Sequence, residues 1–202
     1  MKLRGLYAIT PDEADGSRLA EKVRLALEGA IAMLQYRNKR AAPQERLEQA
    51  RALGAIARAR GVPFIVNDDV GLALASGADG AHLGRTDGDL RAARARLPGR
   101  ILGASCNDSL EAARAAVAAG ADYVAFGAVF ASPTKPGAVR APLELFRRAR
   151  VLGVPLAAIG GITLENAPRI LAAGADLLAV ITDLFEAPDI SGRARAYLEL
   201  FR

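Results

Sequence analysis

The sequence predicts an α/β protein folded as a single (β/α)8 TIM barrel, with residues 1–202 forming one catalytic domain. Short apolar runs alternate with Ala-, Leu- and Arg-rich stretches of helical length. Eight strand-like runs occur, and polar residues follow nearly all of them, where enzymes of this architecture carry their chemistry. The runs are residues 6–10, 32–36, 63–67, 80–83, 101–105, 123–127, 155–159 and 177–181.

The stretches between these runs carry helix signals. In the stretch 43–60 the apolar side chains fall within one arc, as expected for an amphipathic helix. They are Leu47, Ala50, Leu53 and Ala57. Ser109 precedes another helical stretch as a candidate N-cap, and a last helix is expected near residues 190–201, after the final strand.

A short phrase recurs where a helical stretch leads into a strand. Gly-Ala-Asp occurs at residues 77–79, 120–122 and 174–176, and Gly-Ala without the acid occurs at 29–30. Glycine just past a helix end supplies the left-handed cap. The repetition favours one continuous βα array over the alternative, a doubly wound open sheet, which usually has fewer strands and one ligand crevice.

Composition narrows the function classes. The formal net charge is +5, but the basic residues are spread along helical stretches, so we expect anionic small substrates and no nucleic acid. No apolar run reaches the roughly 18 residues of a membrane span, so no membrane association is expected. Cys106 is the sole cysteine, which excludes an intrachain disulfide and fits a reducing, cytoplasmic location. Homo-oligomer formation is compatible with this composition.

The polar segment after the second strand resembles an anion site. Extended backbone places Gln35, Arg37 and Lys39 on one side of the chain. Arginine offers a planar fork for phosphate oxygens and lysine offers a point charge. The alternative is a polar loop with two solvated cations.

Carboxylates follow the third and fourth strands. Neighbouring parallel strands lie about 4.8 Å apart, so Asp68 and Asp87 are placed to share one hard cation. Mg²⁺ typically takes one or two carboxylates and leaves positions for water and substrate phosphates. The alternative is helix capping, by Asp69 before Val70 and by Asp87 near Asp89.

The fifth strand ends in Ser105, which is placed to donate a hydrogen bond to a substrate. The alternative is an ordinary turn, with Asn107 or Ser109 capping the next helix. Cys106 lacks a paired base, and the sole histidine, His82, lies within an apolar strand, so we expect it to be a core residue.

Three further loops carry hydroxyls and glycines. Residues 130–137 place Lys135 and hydroxyls in a proline-framed loop that suits a phosphate, although an ordinary braced surface loop is the alternative. Residues 160–163 and 181–183 follow the last two strands. The loops after these strands form the customary phosphate site of such barrels.

Together these segments make the chain resemble the thiamine phosphate synthase family over nearly its whole length. Each motif is modest alone, but six occur in the right order and at the right strand positions. They are Gln35-Tyr36-Arg37-Asn38-Lys39, Asn67-Asp68-Asp69, His82-Leu83-Gly84-Arg85-Thr86-Asp87, Asp122-Tyr123-Val124-Ala125-Phe126-Gly127, Ser132-Pro133-Thr134-Lys135 and Ala158-Ile159-Gly160-Gly161-Ile162.

The resemblance implies a reaction and a set of roles. Hydroxymethylpyrimidine diphosphate would condense with hydroxyethylthiazole phosphate, or its carboxylated form, to give thiamine phosphate and pyrophosphate. Asp68 and Asp87 would bind Mg²⁺. The implied catalytic residues are Arg37, Lys39, Ser105 and Lys135. The pyrimidine diphosphate would be held by Gln35, Tyr36, Arg37, Asn38, Lys39, Asn67, Ser105 and Lys135. The thiazole phosphate would be held by Ser132, Pro133, Thr134, Gly161, Ile181 and Thr182.

This chain departs from the usual family pattern at three places. Ser132 stands where threonine is frequent, Thr182 where serine is frequent, and Cys106-Asn107 where Ala-His or Val-His often follows the serine. Two alternatives share the barrel: a thiazole tautomerase, which needs a general base, and a regulatory barrel that binds a phosphate ligand without turnover. The cations and both aspartates favour the synthase.

Overall fold

The computed structural model describes residues 3–131 and 140–202 and confirms the (β/α)8 barrel. Eight parallel strands close in sequence order, with β8 pairing with β1. The strands are β1 Gly5–Ile9, β2 Met33–Tyr36, β3 Phe64–Asn67, β4 Gly80–Leu83, β5 Ile101–Asn107, β6 Tyr123–Gly127, β7 Leu156–Ile159 and β8 Leu177–Val180.

Helices follow the strands and cover the outside of the barrel. The helix expected over residues 43–60 is α2, and the one expected after the last strand is α9. The helices are α1 Gly16–Glu28, α2 Pro43–Ala59, α3 Val70–Ser76, α4 Leu90–Arg96, α5 Leu110–Ala118, α6 Glu144–Ala149, α7 Ala167–Ala172, α8 Thr182–Phe185 and α9 Ile190–Glu199, with a 3-10 turn at Arg150–Leu152. Within residues 3–131 and 140–202, no helix has both the length and the apolar character needed to cross a membrane.

Alternation along each strand separates two apolar clusters. On β1, Leu6 and Ala8 point outward to the helices, and Tyr7 and Ile9 point into the barrel. The interior is filled, because side chains from the other strands join these two. They include Met33, Ile65, Tyr123, Ala125, Ala157, Leu177 and Ala179. A ligand must therefore bind at an end of the barrel.

The recurring Gly-Ala-Asp motif has a structural role at each connection from a helix to the next strand. Its glycines adopt positive φ angles of 71° at Gly77, 97° at Gly120 and 106° at Gly174. Its carboxylates accept a backbone N–H from the first or second residue of the preceding strand. These bonds join Asp79 to Phe64 at 2.8 Å, Asp122 to Leu102 at 2.7 Å and Asp176 to Leu156 at 3.0 Å.

We expect Asp122→Ala to lower the free energy of unfolding by about 1–3 kcal/mol, the usual cost of losing a hydrogen bond to a charged group. The substitution also removes the 3.0 Å ion pair with Arg94. Urea unfolding measures the change. The matched control is Asp108→Ala, which removes an exposed carboxylate from the turn before α5. Equal losses in the two variants would contradict this explanation of the phrase.

Candidate functional site

The cationic segment after β2 lies at the carboxyl end of the barrel. The Arg37 guanidinium pairs with Asp12 at 3.0 Å, and the Lys39 ammonium pairs with Asp68 at 3.3 Å. Asp12 also accepts the Lys39 backbone N–H at 2.8 Å, so one carboxylate orients both residues. Gln35 lies in the barrel interior beneath them, 2% exposed, and its amide nitrogen donates to Tyr7.

The alternate residues of this segment face the other way. The Tyr36 hydroxyl donates to the Gln49 side chain at 2.9 Å, and the Asn38 amide donates to the same oxygen at 3.0 Å. Asn38 also donates to the Glu13 carbonyl at 2.7 Å. Both side chains thus fasten β2 to α2. The diphosphate contacts expected for Tyr36 and Asn38 stay a prediction, since these side chains already have partners within the protein.

Two carboxylates meet beside Lys39. Asn67 ends β3, Asp68 follows it, and Asp87 lies in the loop after β4. Burial raises the pKa of Asp68, the neighbouring Asp87 carboxylate raises it further, and Lys39 lowers it. Proximity of two like charges is unfavourable unless a proton or a cation offsets it. This pair therefore has the electrostatic character of a cation-binding site.

The capping alternative holds for one of these aspartates and is wrong for another. Asp69 caps α3, accepting a backbone N–H of that helix at 2.8 Å, and it pairs with Arg46 at 3.3 Å. Helix α4 is capped by Asp89, at 2.8 Å, and not by Asp87. Asp87 instead accepts the Gly84 N–H at 2.8 Å in its own loop. Asp68 and Asp87 are thus separate from the helix caps.

The chemistry of these donors fits Mg²⁺. Among the residues that the structure describes, no group of three or more His, Cys, Asp or Glu side chains converges on one point. A dedicated protein cage for a metal is therefore absent from that part of the chain. Two carboxylates, with substrate phosphates and water completing the shell, are the usual arrangement for Mg²⁺.

Ser105 lies at the end of β5, and its hydroxyl is 2.8 Å from His82 Nε2. His82 is 6% exposed, which confirms it as a core residue, although it is hydrogen-bonded on both ring nitrogens. Burial raises the pKa of the Cys106 thiol to about 12, so this cysteine stays protonated and unreactive. Asn107 adopts a φ of 49° where the β5–β6 register shifts. Ser109, in contrast, caps α5 as expected.

The stability of the fold should depend on pH through His82. Burial lowers the pKa of His82 from 6.5 to about 4, so the unfolded chain binds the extra proton more readily. The free energy of unfolding is therefore unaffected by His82 above pH 6.5, and it decreases as the pH falls from 6.5 toward 4. The loss is on the order of 3 kcal/mol, taken from the pKa difference. Urea unfolding across this range should show a shallower pH dependence in His82→Gln, and parallel curves would contradict the assignment.

At the carboxyl end of the barrel, the side formed by the loops after β6, β7 and β8 consists mainly of backbone groups. The loops after β6 and β7 are joined by the Phe130 N–H, which donates to the Gly160 carbonyl at 3.0 Å. Gly161 has a φ of 63°, and a Cβ there would overlap the Ala131 carbonyl oxygen. Ile181 and Thr182 lie at the start of α8, after β8. The predicted site residues Ser132, Pro133, Thr134 and Lys135 fall outside the described residues.

Sequence reasoning missed four residues of this region. Asp12 and Thr10 follow β1, and the Thr10 hydroxyl is bonded to both the N–H and the carbonyl of Arg37 at 2.8 Å. Two tyrosines, Tyr7 and Tyr123, join their hydroxyls in the barrel interior at 2.7 Å. A lone aspartate after a strand is a weak signal, and tyrosine in a strand is ordinarily a packing residue.

A parallel barrel with cations and paired carboxylates at the carboxyl ends of its strands has the architecture of the (β/α)8-barrel enzymes, whose active sites lie at this end. Comparison with known proteins defines the class further. The profile of the thiamine monophosphate synthase family matches residues 6–184. A thiamine-phosphate synthase of Aromatoleum aromaticum is 62% identical, covering 99% of this chain and 97% of the relative. One from an Azoarcus species is 57% identical, covering 99% and 98%.

A solved structure agrees with these relatives. Thiamine phosphate pyrophosphorylase from Pyrococcus furiosus superposes with a TM-score of 0.88 at 35% identity, covering 98% of this chain and 96% of that one. The chain belongs to the thiamine monophosphate synthase family, and it is a transferase.

Proposed function

We propose that this chain condenses 4-amino-2-methyl-5-hydroxymethylpyrimidine diphosphate with 4-methyl-5-(2-hydroxyethyl)thiazole phosphate, yielding thiamine phosphate and pyrophosphate with the help of Mg²⁺. The observation that carries the proposal is the group formed by Lys39, Asp68 and Asp87. In it a lysine ammonium lies 3.3 Å from one of two adjoining carboxylates at the open end of the barrel. Such a group suits a diphosphate bound through a divalent cation.

The cationic side of the site binds the diphosphate, whose bond to the pyrimidine methylene breaks. The carbon–oxygen bond between the pyrimidine methylene and the diphosphate cleaves, and both electrons leave with the oxygen. Arg37 and Lys39 offset the charge that develops on the diphosphate, and the Ser105 hydroxyl donates a hydrogen bond to it. Gln35 and Asn67 hold the pyrimidine diphosphate in place, and Lys135 is assigned to the same group from the sequence motif.

Asp68 and Asp87 would hold the metal ion. When bound, Mg²⁺ supplies positive charge beside the departing diphosphate. It would also relieve the repulsion between the two carboxylates, which adds to the effect of burial in raising the pKa of Asp68. Lys39, whose ammonium lies 3.3 Å from Asp68, would add a second positive charge beside this pair.

The neutral side of the site binds the thiazole phosphate, which is retained in the product. Gly161, Ile181 and Thr182 offer backbone N–H groups and a hydroxyl, and the sequence motif adds Ser132, Pro133 and Thr134. The thiazole nitrogen uses its lone pair to form the new carbon–nitrogen bond. That lone pair is already available, so no general base is required, and positioning accounts for much of the rate.

The tautomerase alternative needs a general base, and neither Cys106 nor His82 is placed to supply one. Cys106 is buried with its pKa raised to about 12. Both ring nitrogens of His82 are engaged by Tyr123 and Ser105. These contacts favour the synthase, whose chemistry proceeds without proton abstraction.

A turnover assay tests the proposal. Purified protein, Mg²⁺ and both substrates should release pyrophosphate and thiamine phosphate in equal amounts, with no pyrophosphate released when the thiazole phosphate is omitted. A metal chelator should abolish the reaction. Absence of both products would refute the synthase. Thiazole isomerisation would favour the tautomerase, and ligand binding without any turnover would favour the regulatory barrel. Comparing the plain and carboxylated thiazole phosphates defines the preferred acceptor.

A further inference from the structure

Five side chains form a hydrogen-bonded chain across the barrel interior. It starts at Gln35 on β2, whose amide nitrogen donates to the Tyr7 hydroxyl on β1. Tyr7 lies 2.7 Å from the Tyr123 hydroxyl, and Tyr123 lies 2.9 Å from His82 Nδ1. His82 Nε2 then lies 2.8 Å from the Ser105 hydroxyl. The chain thus links Gln35 to Ser105, two residues that the proposed function assigns to the pyrimidine diphosphate.

The first donor fixes the direction of the chain. An amide nitrogen donates hydrogen bonds and does not accept them. The Tyr7 hydroxyl therefore accepts a hydrogen bond from Gln35 and donates one to the Tyr123 hydroxyl. Tyr123 in turn donates to His82 Nδ1. The proton of the neutral imidazole therefore sits on Nε2 and is donated to Ser105. The Ser105 hydroxyl then keeps its own proton for a partner outside the chain.

The opposite direction would be unfavourable between Tyr123 and Tyr7. Among the described residues, the Tyr7 hydroxyl contacts only the polar groups of Gln35 and Tyr123. If Tyr123 donated to Tyr7, the Tyr7 proton would be left in the interior, at 1% exposure, without an acceptor. Burial also lowers the pKa of His82 to about 4 and raises the pKa of Tyr7 and of Tyr123, so all three groups are neutral near pH 7.

We propose that His82 and Tyr123 are positioning residues that make the Ser105 hydroxyl a hydrogen-bond donor toward the bound diphosphate. The inference rests on the proposed function for the identity of the ligand. The direction of the hydrogen-bonded chain is independent of the proposed function. Because a diphosphate oxygen can only accept, Ser105 is useful to it only as a donor. A serine that gave its proton to His82 would present a lone pair to the anion instead.

The histidine tautomer tests the direction without any substrate. His82 is the sole histidine of the sequence, so tag-free protein labelled with ¹⁵N-histidine gives one pair of ring nitrogen signals. Long-range ¹H–¹⁵N correlation at pH 7 should show the proton on Nε2 and none on Nδ1. A proton on Nδ1 would overturn the proposal whether or not the protein turns over its substrates.

Kinetics test the coupling to Ser105. Tyr123→Phe keeps the ring and removes the donor to Nδ1, so we expect kcat to fall about tenfold, less than the loss of a whole donor. The KM for the thiazole phosphate should stay unchanged. Ser105→Ala should lower kcat further, and adding Tyr123→Phe to it should have no additional effect.

The matched control removes a buried tyrosine hydroxyl outside the barrel. Tyr197 is fully buried, and its hydroxyl donates to Asp183 at 2.7 Å, between α9 and α8. Tyr197→Phe should lower stability and leave kcat and the His82 tautomer unchanged. Additive losses from Tyr123→Phe and Ser105→Ala, or an equal fall in kcat in Tyr197→Phe, would overturn the proposal. If no variant and no wild-type protein has activity, the proposed function fails, and the ¹⁵N result still decides the direction of the chain.

Discussion

Asp68→Asn should lower kcat/KM by at least about a hundredfold, because loss of a supporting residue around a metal ligand already costs 10- to 100-fold. The substitution removes one of two charges that would hold Mg²⁺ and leaves Lys39 without its 3.3 Å partner. Asparagine is the suitable replacement because Asp68 has a φ of 62°, a conformation that asparagine adopts readily. The measurement is initial rate against Mg²⁺ concentration, and the variant should need more metal to reach its maximum.

The next residue provides the control. Asp69→Asn removes the same charge one position along, but its side chain caps α3 and pairs with Arg46. Asparagine also caps helices, so the fold should lose little stability and the Mg²⁺ dependence should stay as in the wild type. Equal kinetic losses in the two variants would show that general charge near β3 matters, and not the metal-binding pair.

The repeating pattern of this sequence predicts the barrel because each βα unit carries the same local signals. The Gly-Ala-Asp phrase marks three joints, and the structure gives its glycines positive φ angles and its aspartates a strand-capping bond. Individual ends are harder to predict. Strand β5 runs to Asn107, two residues past the prediction, because a register shift against β6 lets it continue beyond Ser105.

The candidate site could be predicted where strand periodicity decides which side chains share a face. Periodicity predicts that Gln35, Arg37 and Lys39 share a face, and the structure places Arg37 and Lys39 near the common partner Asp12. The family motif does not distinguish the two faces, so the resemblance assigns Tyr36 to the ligand, whereas its side chain faces α2.

Contacts between distant strands have no sequence signal of their own. Tyr7 and Tyr123 are 116 positions apart, yet their hydroxyls bond because β1 and β6 face each other across a closed barrel. Only the completed fold places a tyrosine, a histidine and a serine in one line. The hydrogen-bonded chain is therefore visible only in the structure, because Tyr7, Tyr123 and His82, which join Gln35 to Ser105, are ordinary packing residues when each is considered alone.

Gly161→Ala should raise the KM for the thiazole phosphate at least about tenfold, because the new methyl group displaces the backbone assigned to that phosphate. A Cβ at this position would overlap the Ala131 carbonyl oxygen, so the loop after β6 must move. The positive φ of 63° adds about 1–2 kcal/mol of backbone strain. Steady-state kinetics with each substrate varied in turn should show a much smaller change in the KM for the pyrimidine diphosphate.

Gly153→Ala is the control that separates the effect of the steric clash from the effect of backbone strain. Gly153 has a φ of 69°, close to that of Gly161, but a Cβ there would meet no atom of the described residues within 4 Å. It ends the 3-10 turn after α6, before β7 begins, so alanine there should cost stability through strain alone and leave both KM values unchanged. If Gly161→Ala behaves like Gly153→Ala, the loop after β7 does not bind the thiazole phosphate. If it raises only that KM, the neutral side of the barrel end is the acceptor site, and the charged and neutral sides can be altered independently.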